Sequence, residues 1–176
     1  MDWKGCLLPL VLPLSVLMIG SWRFAVSDRS PSLPPASFQL SQDPAPDYTQ
    51  APPGLYPTCQ DDPALADLLL AEGRRLGVTV RAGQPELPGK DATYRAERGR
   101  LGSITLKPRP MSPLVRCMLI SHEFIHVLQH LQGDLRSVPP LGWTTELPDQ
   151  IPQEAEAYGH QHRVGYVLSL LRATPR

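Results

Sequence analysis

The stretch SPLVRCMLISHEFIHVLQHLQG, residues 112–133, decides how this chain folds. Ser112 followed by Pro113 is a helix start: a serine oxygen can cap orphan N–H groups, and proline loses nothing at the first helical position. Gly133 is the matching stop. Between them Leu114, Val115, Met118, Leu119, Ile125, Leu128 and Leu131 recur at helical spacing, which predicts a long, mostly buried helix. Its second half carries HEFIH, residues 122–126. Residues four apart share one face of a helix, one turn above the other, so His122 and His126 can turn two imidazoles toward a single ion. Glu123 is rotated by about 100° from His122 and reaches beside that ion, where it can hold and deprotonate a water without being a ligand. With five His in 176 residues, a chance match to this pattern is on the order of half a per cent.

Upstream of the helix, Pro108 and Pro110 end a strand. Ala92 to Glu97 and Leu101 to Lys107 read as two strands joined around Gly99, with Ile104 and Leu106 on one face of the second. Gly83, Pro85, Pro88 and Gly89 mark residues 83–91 as a loop, and Val78 to Val80 as a short strand precedes it. An earlier helix is capped by Asp61 or Asp62, holds Pro63 in its first turn, carries Leu65, Leu68, Leu69 and Leu76 as its stripe, and ends at Gly77. Downstream, a loop runs from Gly133 to Ile151. A single last helix is expected from Pro152 to about Arg172, with Val164, Val167, Leu168 and Leu171 facing inward. No internal repeat is visible. The expected class is α+β: a small antiparallel or mixed sheet packed on the HEFIH helix and the C-terminal helix.

A catalytic zinc needs a third protein ligand and an open position. The run QEAEAY offers Glu154 and Glu156 at the start of the last helix. HExxH followed after a loop by a helical glutamate resembles the gluzincin branch of the zincin metallopeptidases. Many of those carry the third ligand at the head of a Glu-x-x-Ala pattern, which Glu154-Ala155-Glu156-Ala157 matches with Glu154 as the ligand. The resemblance spans residues 92–170 and is specific only in these two motifs. It implies a zincin-like fold, Zn²⁺ held by His122, His126 and Glu154, and Glu123 as general base on a peptide or protein substrate. It also implies a strand along the cleft just before the HExxH helix, for which Leu101 to Lys107 is in the right order. Tyr158 stands where that family often has Asp or Asn. Glu156 is then left as a solvated charge favoured by the helix dipole.

The longer metzincin pattern is absent, since His130 comes too early to be its third histidine. His130 is expected on the helix surface or behind the ligands. A peptidase also needs an oxyanion donor. On the projection of a continuous last helix, Tyr158 and His162 fall nearest the Glu154 face, and His160 is turned away.

The rest of the chain sets the context. It has 17 basic and 17 acidic residues and a formal net charge of zero, which argues against a nucleic-acid partner. All five histidines lie between residues 122 and 162. Lys4, the apolar run Cys6 to Gly20 and the small residues Ala25-Val26-Ser27 resemble an export signal, so residues 1–27 are expected to be a signal peptide or a membrane anchor. That places the protein outside the cytoplasm, periplasmic or extracellular, with a membrane tether as the alternative. Residues 28–57 are rich in proline and show no period; they read as a linker or an arm over the domain, or as a pro-segment covering the site. The folded domain is expected over residues 58–176. Cys59 and Cys117 can pair in an oxidising compartment, or Cys117 can be a small buried residue. A second function remains open, in which the domain holds zinc without catalysis and serves binding or assembly at the membrane surface. Oligomeric state is not legible.

Overall fold

The structure, a computed structural model, describes residues 44–148 and 151–176. The expected signal segment or anchor, 1–27, and the first part of the arm lie outside the described residues. No helix among the described residues is long and apolar enough to cross a membrane.

The HEFIH helix forms the centre. We label it α2, Pro113–Gln132, and its first turn is capped as its sequence requires, with Ser112 Oγ accepting the Val115 N–H at 3.2 Å. Ile120, Phe124, Ile125, Val127 and Leu128 are fully buried, whereas Leu114 and Val115 are exposed. The apolar stripe therefore begins one turn later than its sequence suggests. Before α2 come α1 (Leu65–Leu76), β1 (Thr79–Ala82), β2 (Ala92–Glu97) and β3 (Arg100–Leu106); after it come α3 (Pro152–His160) and α4 (Val164–Ala173). Gly77 ends α1 with φ 103°, a conformation that only glycine adopts without cost. α2 packs against α1, α3, α4 and the sheet. Cys59 and Cys117 are disulfide-bonded, tying α2 to the segment before α1.

The sheet is mixed, in the order β1-β3-β2. β1 runs parallel to β3 and β2 antiparallel to it, so Val80, Ile104 and Tyr94 fall in one row across the three strands. That row packs into the core. The strand expected along the cleft, Leu101 to Lys107, is β3, which is the central strand; β2 is the edge that meets the site. Gly99, with φ 81°, makes the tight turn that folds β2 back as the outer partner.

The single last helix of the sequence reading is two helices. The arm causes the break. The Cys59 N–H donates to the His162 carbonyl at 2.8 Å and the Gly165 N–H to the Pro57 carbonyl at 3.0 Å. These are groups that a continuous helix would have paired within itself. A side chain on Gly165 would meet the Pro57 oxygen at 2.7 Å, so a glycine is needed where the two backbones approach. Val164, Val167, Leu168 and Leu171 are buried as expected. The described part of the arm belongs to the folded body, which therefore begins before residue 58. Tyr48 is buried, accepts the Trp143 indole N–H on its carbonyl at 2.9 Å, and shares a hydrogen bond with Thr174 Oγ1 at 2.9 Å.

Candidate metal centre

α2 presents His122 and His126 on one face, with Nε2 atoms 3.2 Å apart. α3 crosses that face and brings Glu154, whose Oε2 lies 3.5 Å from His122 Nε2 and whose Oε1 lies 3.3 Å from His126 Nε2. Vertices of a tetrahedron around an ion about 2.0–2.1 Å away would be roughly 3.3 Å apart. The imidazole pair matches that edge length, and each imidazole has a Glu154 oxygen close to it. One ligand atom from each of the three side chains lies within 4.8 Å of the others, a group that can hold a metal ion. Glu154 Oε2 is buried with no hydrogen-bond donor among the described residues, a lone pair suited to a cation. The neighbouring imidazoles hold the Glu154 carboxyl well below the usual carboxylate range.

His126 is oriented from behind. Its Nδ1 lies 2.8 Å from Gln129 Oε1. An amide oxygen only accepts, so in the neutral ring the proton sits on Nδ1 and the Nε2 lone pair faces the site. Gln129 in turn donates its amide to the Gln153 carbonyl at 3.1 Å and to Glu156 Oε2 at 3.0 Å. Burial opposes the charged form of His126, but the Glu154 hydrogen bond and the Glu123 charge outweigh it and raise the imidazole above its ordinary value.

Glu156 is not the solvated charge its position suggested. It is 4% exposed and accepts the backbone N–H groups of Leu141 at 2.7 Å, Gly142 at 2.6 Å and Trp143 at 3.1 Å. Three successive N–H groups converge on it because Gly142 takes φ 90°. Glu156 thus organises the loop between α2 and α3 and, through Gln129, the back of His126. The two glutamates lie two residues apart in a helix, so they face about 200° apart, one on the imidazoles and the other on the loop.

Glu123 is buried beside the group. Burial pushes its carboxyl up, opposed by His122 and His126 and by a hydrogen bond from the Tyr94 backbone N–H on β2. His130 is also fully buried, not on the helix surface. Its Nδ1 lies 2.8 Å from the Tyr94 hydroxyl, which accepts the Gly102 N–H at 3.1 Å. Burial lowers the His130 imidazole, while a hydrogen bond to the Leu135 backbone raises it. The same environment pushes the Tyr94 hydroxyl up to about 12, chiefly by burial. Tyr94 and His130 therefore rivet the edge strand to α2, and Glu123 sits at that seam.

No protein family model, curated protein or solved structure matches this chain.

A small cleft of about 90 Å³ opens in front of the group, walled by β2 residues Ala92, Thr93 and Tyr94, by Leu119, and by Leu87 and Lys90 from the loop before β2. Tyr158 lines it, its ring 4.5 Å from the His122 ring. His162 does not line it: the break after α3 ends the helical projection that aligned His162 with Glu154, and Gln161 lines the cleft instead. His160 is turned away, with Nε2 2.9 Å from the Thr144 carbonyl. No described arm residue lines the cleft. Lys90 is the residue that sequence reading missed. Its Nζ donates to the Tyr158 hydroxyl at 2.9 Å and lies 3.9 Å from Glu154 Oε2. Nothing local in Leu87-Pro88-Gly89-Lys90 points to a site 64 residues downstream; only the turn was legible.

Proposed function

We propose that this protein is a zinc-dependent peptidase of gluzincin type, exported from the cytoplasm. The observation that carries the proposal is the convergence of His122, His126 and Glu154, with ligand atoms within 4.8 Å of one another and Glu123 buried alongside, at the floor of an open cleft. The donor set fits zinc: two imidazoles and one carboxylate, with no thiolate and too few oxygens for calcium or magnesium. When bound, Zn²⁺ supplies Lewis-acid polarisation of a carbonyl and acidifies a water to a pKa of about 7.

The chain's own residues supply the rest. Glu123 takes a proton from the attacking water as its oxygen adds to the carbonyl carbon and the π pair moves onto the carbonyl oxygen. The C–N bond then breaks, and Glu123 returns the proton to the leaving amine. A peptide substrate is favoured by β2, the edge of the sheet, because an extended chain can add to an unpaired strand edge through backbone hydrogen bonds. The Lys107 N–H pairs with the Asp91 carbonyl, so alternation turns the backbone groups of Ala92 and Tyr94 toward the outer edge. There the Tyr94 N–H is taken by Glu123, and the Tyr94 carbonyl and the Ala92 groups face the cleft side. Export accords with the Cys59–Cys117 disulfide, since such bonds persist in oxidising compartments.

The test is hydrolysis of an unstructured protein by zinc-loaded enzyme, with and without chelator. Glu123→Gln should keep zinc and lose hydrolysis by at least about a hundredfold. A protein that holds zinc at His122, His126 and Glu154 but hydrolyses nothing would instead be the zinc-binding assembly module.

A further inference from the structure

Lys90 is placed by a tight turn. Its N–H returns to the Leu87 carbonyl at 3.3 Å across Pro88 and Gly89, the latter with φ 78°. Proline followed by a glycine of positive φ is the signature of a type II turn, which rigidly presets where the next residue starts. The following residue, Asp91, is fixed by ion pairing with Arg109 and by its carbonyl bond to the Lys107 N–H. From that base the Lys90 side chain reaches over the Tyr158 ring, 5.3 Å from its centroid.

An ammonium has three N–H donors and no acceptor. One is used on the Tyr158 hydroxyl, and the Glu154 oxygen at 3.9 Å is too far to be a hydrogen-bond partner. A cation with donors to spare thus opens onto the cleft beside the carboxylate that would hold the ion. Tyr158 is steadied from the other side by the His122 ring.

We propose that Lys90, with the Tyr158 hydroxyl beside it, is the donor that stabilises the oxyanion formed when water adds to the scissile carbonyl. The proposal rests on the peptidase reading. As the π pair moves onto the carbonyl oxygen, that atom gains a full negative charge, and a fixed cation at the cleft wall stabilises it more than the neutral carbonyl. Lys90 donates hydrogen bonds and keeps its proton throughout. When the C–N bond breaks, the pair returns to the carbonyl and Lys90 is unchanged.

The experiment compares wild type with Lys90→Met, which keeps length and removes charge, and Lys90→Arg, which keeps charge. Zinc content and thermal midpoint should be the same in all three. On an unstructured protein or peptide, Lys90→Met should lower kcat about a hundredfold with KM changed by less than about threefold, and Lys90→Arg should recover part of the loss. Binding of acetohydroxamate, an anionic chelator, to the cobalt-loaded protein gives a readout without turnover: Lys90→Met should weaken it about tenfold. An unchanged kcat, a rise in KM alone, or loss of metal from Lys90→Met would overturn the proposal. If wild type hydrolyses nothing, the peptidase reading fails, and equal acetohydroxamate affinity in wild type and Lys90→Met would overturn the role of Lys90 separately.

Discussion

Replacing Glu156 by Gln tests the division of labour between the two glutamates of α3. The Glu156 carboxylate receives four donors: Leu141 N and Gln129 Nε2 on Oε2, Gly142 N and Trp143 N on Oε1. An amide of the same shape keeps one accepting oxygen and turns an NH₂ group against the other two donors. Each hydrogen bond to a charged group contributes about 1.5–3 kcal/mol, so losing two removes about 3–6 kcal/mol. Relief of the carboxylate's own desolvation offsets part of this, leaving a destabilisation of about 3–4 kcal/mol. For a folded body of this size that is a drop in Tm of roughly 10–15 °C. Zinc should still bind, with an affinity lowered about tenfold or more because Gln129 loses the partner that aims it at His126. Glu154→Gln should do the reverse, weakening zinc far more than it lowers the melting point of the metal-free protein. Circular dichroism melts and zinc titrations of both variants make the comparison. A Glu156→Gln protein that melts within about 2 °C of wild type would refute the reasoning, because the buried anion would then not be holding the loop. So would a Glu156→Gln protein that loses zinc outright with its melting point intact.

Zinc affinity should climb with pH until His126 is deprotonated and then level off. The bound state needs a neutral imidazole, and the His126 pKa is raised above 6.5, so protons compete further into the neutral range than for a free histidine. Below that point affinity should fall by at least about tenfold per pH unit, one factor for each imidazole that must lose a proton, measured by competition with a chelator of known proton affinity; a flat profile across roughly pH 5 to 8 would contradict the placement of His126 against Glu154. The Cys59–Cys117 disulfide closes a loop with a sequence separation of 58. Constraint of the unfolded chain by such a loop amounts to about 4 kcal/mol, so reduction or the double Cys→Ala variant should lower the denaturant midpoint accordingly. A loss under about 1 kcal/mol would mean that the unfolded chain is already compact across that span.

The local features of this protein are written in its sequence. The cap at Ser112, the length of α2, the four-residue spacing of His122 and His126, and the glycine that ends α1 all follow from backbone hydrogen bonding within a turn or two. For the same reason the class, a small sheet on a long helix, was legible, and so was the preference for Glu154, through a motif that fixes it four residues ahead of Tyr158. Tertiary structure decided what depends on partners far along the chain. β2 and not β3 borders the cleft because Gly99 folds the hairpin outward and β1 takes the other side of β3. The last helix breaks because the arm competes for its backbone groups. In sequence Glu156 reads as a solvated charge, His130 as a residue of the helix surface or one behind the ligands, and Lys90 only as part of a loop. Their partners at Leu141 to Trp143, Tyr94 and Tyr158 are brought together only when the helices and sheet pack. A helix repeats every 3.6 residues and so announces its own faces, but which distant group meets each face is set by packing, which no local period encodes.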